Sequence, residues 1–151
     1  MNFKSIIFQF LGGIFLLFGF KQFFIFVDLD LLELIVSLGK ENFAYYAEKT
    51  DKFGIATKLK YFSNTKLILG FVAIIINYII LFYKAYKQKL NWNISLCITL
   101  VLALMHYFKW IEPFPIPIFQ QQLILAFLIP AGLAFVLSIV AYRIAFTTKR
   151  I

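Results

Sequence analysis

The sequence predicts an all-α integral membrane protein. The expected form is a four-helix bundle, N-in/C-in, with one or two short extracytoplasmic or interfacial helices between spans one and two. Three observations lead there. Apolar residues fill 62% of the 151 positions and charged residues only 15%, against roughly 25% charged in soluble domains. Four runs with little or no charge approach the about 20 residues that a spanning helix needs. Lysines and arginines gather in those connections that would share one side of a membrane. A soluble fold of this length could not hide so much apolar surface, and a disordered chain has the opposite composition.

The first span is expected over about residues 5–27. Ser5 to Val27 is interrupted only by Lys21 and Gln22. The preceding Met1-Asn2-Phe3-Lys4 resembles the start of a signal peptide, but no small-x-small cleavage site follows. The run therefore reads as an uncleaved signal-anchor helix. Residues 28–65 form an extracytoplasmic segment in which lysines roughly balance carboxylates. Within it Asp30, Glu33 and Ser37 fall on one narrow helical stripe among apolar residues, which suggests a helix lying in the interface. Gly39 would stop that helix. A second short helix is expected within Glu41 to Phe62, where Glu48 and Lys52 form an i,i+4 pair.

The second span is expected over 66–84, with Lys66 and Lys84 snorkelling at its ends. The third runs over 90–110 and the fourth over 118–146. Between the last two, Pro113, Pro115 and Pro117 hold a stiff extended turn. Lys84, Lys87 and Lys89 lie between spans two and three without an acidic residue. Lys4 precedes span one, and Arg143, Lys149 and Arg150 follow span four. All three places share a side if there are four spans, and the positive-inside rule makes that side cytoplasmic. A bacterial inner membrane is the expected location.

The net charge of +8 would suggest nucleic acid in a soluble protein. Here lysines flank apolar spans, so membrane lipid is the expected partner and nucleic acid is not. Cys97 is the only cysteine, which excludes an intramolecular disulfide and a thiol redox pair. One Cys and one His cannot supply a structural zinc site, and no metal site is expected.

Ser5, Gly12 and Gly19 recur every seven residues on one face of span one. Ala134, Ser138, Ala141 and Ala145 form a small-residue stripe on span four. Small residues let helix backbones approach closely, and packing within the bundle is the expected use; oligomerisation would use the same faces.

Polar residues in a membrane are costly, so each is a functional candidate. Lys21, His106, Gln121 and Gln122 all fall near the outer interface, with Gln120, Lys109 and Glu112 close by. Together they suggest a polar layer that would take a headgroup, a quinone or a small polar ligand. Asn77 and Pro130 fall near the midplane. Pro130 frees the carbonyl of Ala126, and Asn77 would donate to that carbonyl or to Thr99. No acidic residue falls within a predicted membrane core, which argues against proton-coupled transport. No nucleophile and base are suitably spaced for catalysis, so no catalytic residue is assigned.

The stretch Phe10-Leu11-Gly12-Gly13-Ile14-Phe15-Leu16-Leu17-Phe18-Gly19-Phe20-Lys21 resembles the first helix of DoxX-like membrane proteins. The resemblance implies four spans, an extracytoplasmic segment after the first, and a His near the outer end of span three, where this chain has Met105-His106-Tyr107-Phe108. Where those proteins commonly hold a Glu, this chain reads Asn64-Thr65-Lys66-Leu67. The favoured function is a non-enzymatic accessory, assembly or interaction protein that binds another membrane protein. The alternatives are a DoxX-like quinone- or lipid-associated protein and an oligomeric small channel or transporter.

Overall fold

The computed structural model describes residues 3–31, 33, 54–114 and 122–147. Among them every regular element is helical. Helix α1 spans Phe3–Lys21 and tightens into a 3₁₀ segment over Gln22–Val27. Helix α2 spans Ile55–Lys87, α3 Trp92–Tyr107 and α4 Leu123–Thr147. Three stretches are long and apolar enough to cross a membrane: Phe3–Val27, Ala56–Lys87 and Ile124–Thr147. Helix α3 is apolar but shorter, its 16 residues giving about 24 Å at 1.5 Å per residue.

The second span differs from expectation. A short helix ending near Phe62 and a separate span from residue 66 were expected, whereas one unbroken helix of 33 residues runs from Ile55 to Lys87. Ser63, Asn64 and Thr65 are poor helix formers, but each keeps its backbone N–H, and no proline interrupts the run. Phe62 is buried on one side of this triplet, packed with Ile25, Leu31 and Phe127. The helix starts at Gly54, whose φ of 62° is a left-handed conformation that costs glycine little. Earlier in the 28–65 segment, the Asp28 carboxylate accepts from the Leu31 N–H at 3.0 Å. This N-cap geometry opens a helical turn at Leu29–Leu31, where an interfacial helix was expected. The rest of that helix and most of the Glu41–Phe62 helix lie outside the described residues.

Helices α2 and α3 end in the same way. Leu90 N–H donates to Ala85 O at 2.9 Å and Trp110 N–H to Met105 O at 3.0 Å. Lys89 and Lys109 hold the left-handed positions before them, with φ of 53° and 57°. This is the Schellman stop, built here with lysine in place of glycine. Helix α3 begins at Asn91, whose side chain accepts from Asn93 N–H at 3.0 Å.

Helix α1 is the most enclosed of the spanning helices. It packs antiparallel against α4, and both small-residue stripes face this contact. Ser5 lies against Ala145, Gly12 against Ser138 and Tyr142, and Gly19 against Phe135. Ala134, Ser138, Ala141 and Ala145 are all buried. The core has three layers. Leu81, Ile98, Leu102 and Tyr142 fill one end, Leu17, Ala73, Ile74 and Ile111 the middle, and Ile25, Leu31, Phe62 and Phe127 the other. The outer faces stay apolar and exposed, with Ile68, Ile75 and Ile79 on α2, Leu100 and Leu104 on α3, and Leu133, Val136 and Ile139 on α4. Apolar surface this extensive belongs in lipid rather than in water.

The glycines separate into tight and open positions. A Cβ on Gly12 would fall 2.7 Å from the Tyr142 ring, and one on Gly13 would fall 2.3 Å from Leu102. At Gly132 nothing lies within 4 Å. Gly12→Ala is expected to lower the unfolding midpoint in detergent by the equivalent of about 1–3 kcal/mol. Gly132→Ala is expected to raise it by up to about 1 kcal/mol. Thermal unfolding of the two variants side by side checks this; equal midpoints would contradict the close approach of α1 and α4.

Candidate functional site

Lys21 is the last residue of α1, and only 1% of its surface is exposed. Its ammonium donates to Ile111 O at 2.6 Å and to Glu112 Oε1 at 2.6 Å. The second Glu112 oxygen accepts from Lys66 Nζ of α2 at 3.1 Å. One carboxylate in the α3–α4 connection therefore binds lysines from two other helices. The Lys66 ammonium also sits 5.5 Å from the centre of the Phe24 ring, within cation–π range. The connection is fastened by apolar contacts too. The Ile111 side chain is buried beside Leu17, Ala73 and Ile74, and the Phe114 ring packs on Phe18 at 5.0 Å. Buried Gln22 reaches toward Phe114 O at 3.4 Å, too long for a strong bond.

His106 is 5% exposed. Its Nε2 lies 3.1 Å from the backbone carbonyl of Leu67 in α2, and because a carbonyl only accepts, Nε2 donates. The ring stands edge-on to Phe71 at 5.2 Å. It lies so close to Gly70 that a Cβ there would be 2.2 Å from Cε1. Glycine is therefore required at position 70, inside a helix where it is otherwise unfavourable. Lys21 and Glu112 both act on His106 electrostatically.

Burial alone would raise the Glu112 carboxyl. The hydrogen bonds and charges of Lys21 and Lys66 outweigh it and hold the carboxyl below its ordinary 4.5. At Asp28 the Leu31 N–H is the largest influence, and with Lys58, 3.3 Å away, it also holds that carboxyl low.

The structure thus brings Lys21, His106 and Glu112 to one end of the molecule, as the sequence suggested. Among the described residues Gln122 makes no side-chain bond to this group: its side chain is exposed, and its backbone carbonyl accepts from Ala126 N–H at 3.0 Å. Gln121 lies outside the described residues. Lys66, Gln22 and Gly70 were missed. The available signal was Glu112 itself, the only carboxylate after Asp51, which at the mouth of a membrane bundle needs a cation.

The midplane pairings also differ from expectation. Asn77, 1% exposed, accepts at Oδ1 from the Tyr142 hydroxyl of α4, not from a contact with Ala126 or Thr99. Thr99 instead donates to Ser95 O of its own helix at 2.8 Å. The reason is axial register. Phe62 of α2 and Phe127 of α4 flank the same Phe24 ring, and Asn77 and Tyr142 meet 15 residues further along each helix. Pro130 therefore belongs to the aromatic end, far from Asn77, and α4 runs on through it.

Comparison with known protein families, with characterised proteins and with solved structures finds no match for this chain. The site must be read from its own chemistry. Among the described residues no three of His, Cys, Asp and Glu come together as a metal site. Ser5 donates to Ala145 O at 2.7 Å and Ser138 to Gly12 O at 2.9 Å. Both hydroxyls are thus engaged with backbone carbonyls of another helix, and His106 is engaged with Leu67. No nucleophile is paired with a base among these groups.

Glu112→Gln leaves the Lys21 charge buried without its counter-ion. Breaking a fully buried pair costs about 3–5 kcal/mol; with Glu112 37% exposed, the expected loss is nearer about 2 kcal/mol. Because the folded-state carboxyl is held low, the unfolded chain binds more protons in acid. The Glu112 contribution is therefore complete above about 4.5 and is lost as pH falls through the depressed folded value. Unfolding midpoints of wild type and Glu112→Gln across acid pH should converge as pH falls. A constant gap would contradict the ion pair.

Proposed function

We propose that this chain is a small multi-pass membrane protein of non-enzymatic accessory, assembly or interaction type. It forms a four-helix bundle in a bacterial inner membrane with both termini in the cytoplasm. One observation carries the functional part: its buried polar groups are used to tie one helix to another. Ser5 and Ser138 join α1 to α4, Tyr142 joins α4 to Asn77 of α2, and His106 joins α3 to α2. Lys21 joins α1 to the α3–α4 connection. Such groups supply cohesion where lipid gives no hydrophobic driving force.

The orientation is supported by charge. Lys84, Lys87, Lys89 and Arg143 lie at one end with no described carboxylate beside them, while at the other end Lys21 and Lys66 are paired with Glu112 and Lys58 with Asp28. The positive-inside rule makes the first end cytoplasmic. Exposed Trp92 at the start of α3, exposed Tyr107 at its end and exposed Trp110 just beyond it suit the two interfaces of a short third span, which local thinning of the bilayer accommodates.

A second reading, a DoxX-like quinone- or lipid-associated protein, draws on His106 Nδ1 and Gln22 Oε1, which lie near the Lys21 cluster and, among the described residues, are buried without a hydrogen-bond partner. Mild, lipid-preserving extraction followed by mass spectrometry separates the two. A stoichiometric membrane-protein partner is the expected result. A retained quinone or lipid without such a partner, lost in Lys21→Ala and His106→Ala, would replace the first reading with the second.

A further inference from the structure

The end of the bundle away from Lys21 is assembled from three separate parts of the chain. Gln88 Nε2 donates to Phe146 O at 3.2 Å and ties the α2–α3 turn to the last turn of α4. Ser5 ties the start of α1 to the same turn through Ala145 O. These bonds bring Lys84, Lys87 and Lys89 to the same end as Arg143, and all four side chains are exposed. Every described carboxylate is at the opposite end, so among the described residues none of the four has an ion-pair partner. Lys89 stands at a left-handed position that glycine or asparagine would occupy more cheaply.

The surroundings are as specific as the charge. Exposed Tyr83, Tyr86 and Trp92 lie beside the cations, and amphipathic rings of this kind settle at headgroup level. One to two turns further along α3, Leu96 and Leu100 are exposed. Passing from the turn toward the middle of the molecule, the surface changes from cationic to aromatic to aliphatic. A phospholipid has the matching sequence of phosphodiester, glycerol ester and acyl chain. A zwitterionic headgroup brings its own cation to such a cluster, whereas an anionic one supplies the missing counter-charge. We infer that Lys84, Lys87, Lys89 and Arg143 form a binding site for the headgroup of an anionic phospholipid drawn from the surrounding leaflet. The site rests on the reading that the apolar faces lie in a bilayer, and its test separates the two.

Trp110→Phe leaves Trp92 as the single tryptophan of a chain that has 2, placed beside the cluster. This protein is reconstituted in vesicles of phosphatidylcholine and phosphatidylglycerol in equal amounts, with bromine on the chains of one lipid or of the other. Trp92 fluorescence is expected to be quenched severalfold more effectively by brominated phosphatidylglycerol, and added salt should narrow the difference. Lys84→Gln, Lys87→Gln and Lys89→Gln together should abolish the preference, each cation being worth about fivefold near an anionic surface. Continued quenching by brominated phosphatidylcholine verifies that the triple variant is inserted. Equal quenching by the two lipids in the Trp110→Phe protein would overturn the site and leave the bilayer reading standing. Quenching by neither would overturn both, and a preference that survives in the triple variant would overturn the assignment to these residues.

Discussion

The close approach of α1 to α4 decides where the other helices go. Gly12 and Gly19 remove the side chains that would hold the two backbones apart, and the rings of Tyr142 and Phe135 fill the space. Once Tyr142 lies against Gly12, its hydroxyl meets Asn77, and α2 is set against both helices. Gly13 then admits Leu102 of α3 beside Asn77. Four helices thus meet around two adjacent glycines, Gly12 against Tyr142 and Gly13 against Leu102. Bonds from Ser5 to Ala145 and from Ser138 to Gly12 extend the contact along its length. In lipid such directional bonds and tight contacts stand in for the hydrophobic effect.

The polar groups of the interior occupy separate levels. Asn77 and Tyr142 share one, and Lys21, Glu112 and Lys66 share another. Between them lies a layer of Leu17, Ala73 and Ile74. The two levels are built from different residues and fasten different parts of the chain. They also differ in kind. The first joins neutral groups and is sealed within the bundle, while the second joins charges and is partly open to solvent through Glu112 and Lys66.

Much of this was legible in the sequence, and the boundary of legibility has a physical cause. Lipid as solvent acts on composition directly, so the apolar runs mark the helices. Spacing within one helix defines an angle around its axis, so Ser5, Gly12 and Gly19 could be assigned to one face, and they share it. Lys21 and His106 could be placed at one end because each lies at a countable distance along its own run. Register between helices has no such local signal. Asn77 was matched by depth to Ala126, whereas α4 is displaced along its axis and presents Tyr142. A short helix within Glu41 to Phe62 and a span from residue 66 read as separate elements, but α2 runs unbroken from Ile55 to Lys87, with Phe62 packed into the core. Gln122 opens a helix beside the polar cluster, and among the described residues its side chain is exposed.

The Lys21–Glu112 bond spans 91 positions of the chain, and this separation has a consequence for synthesis. The first helix enters the membrane long before its counter-ion has been translated. During that interval the Lys21 ammonium lacks the carboxylate that neutralises it in the finished fold. The ion pair can close only after α2 and α3 have been made, so it joins the earliest helix to the connection that precedes the last.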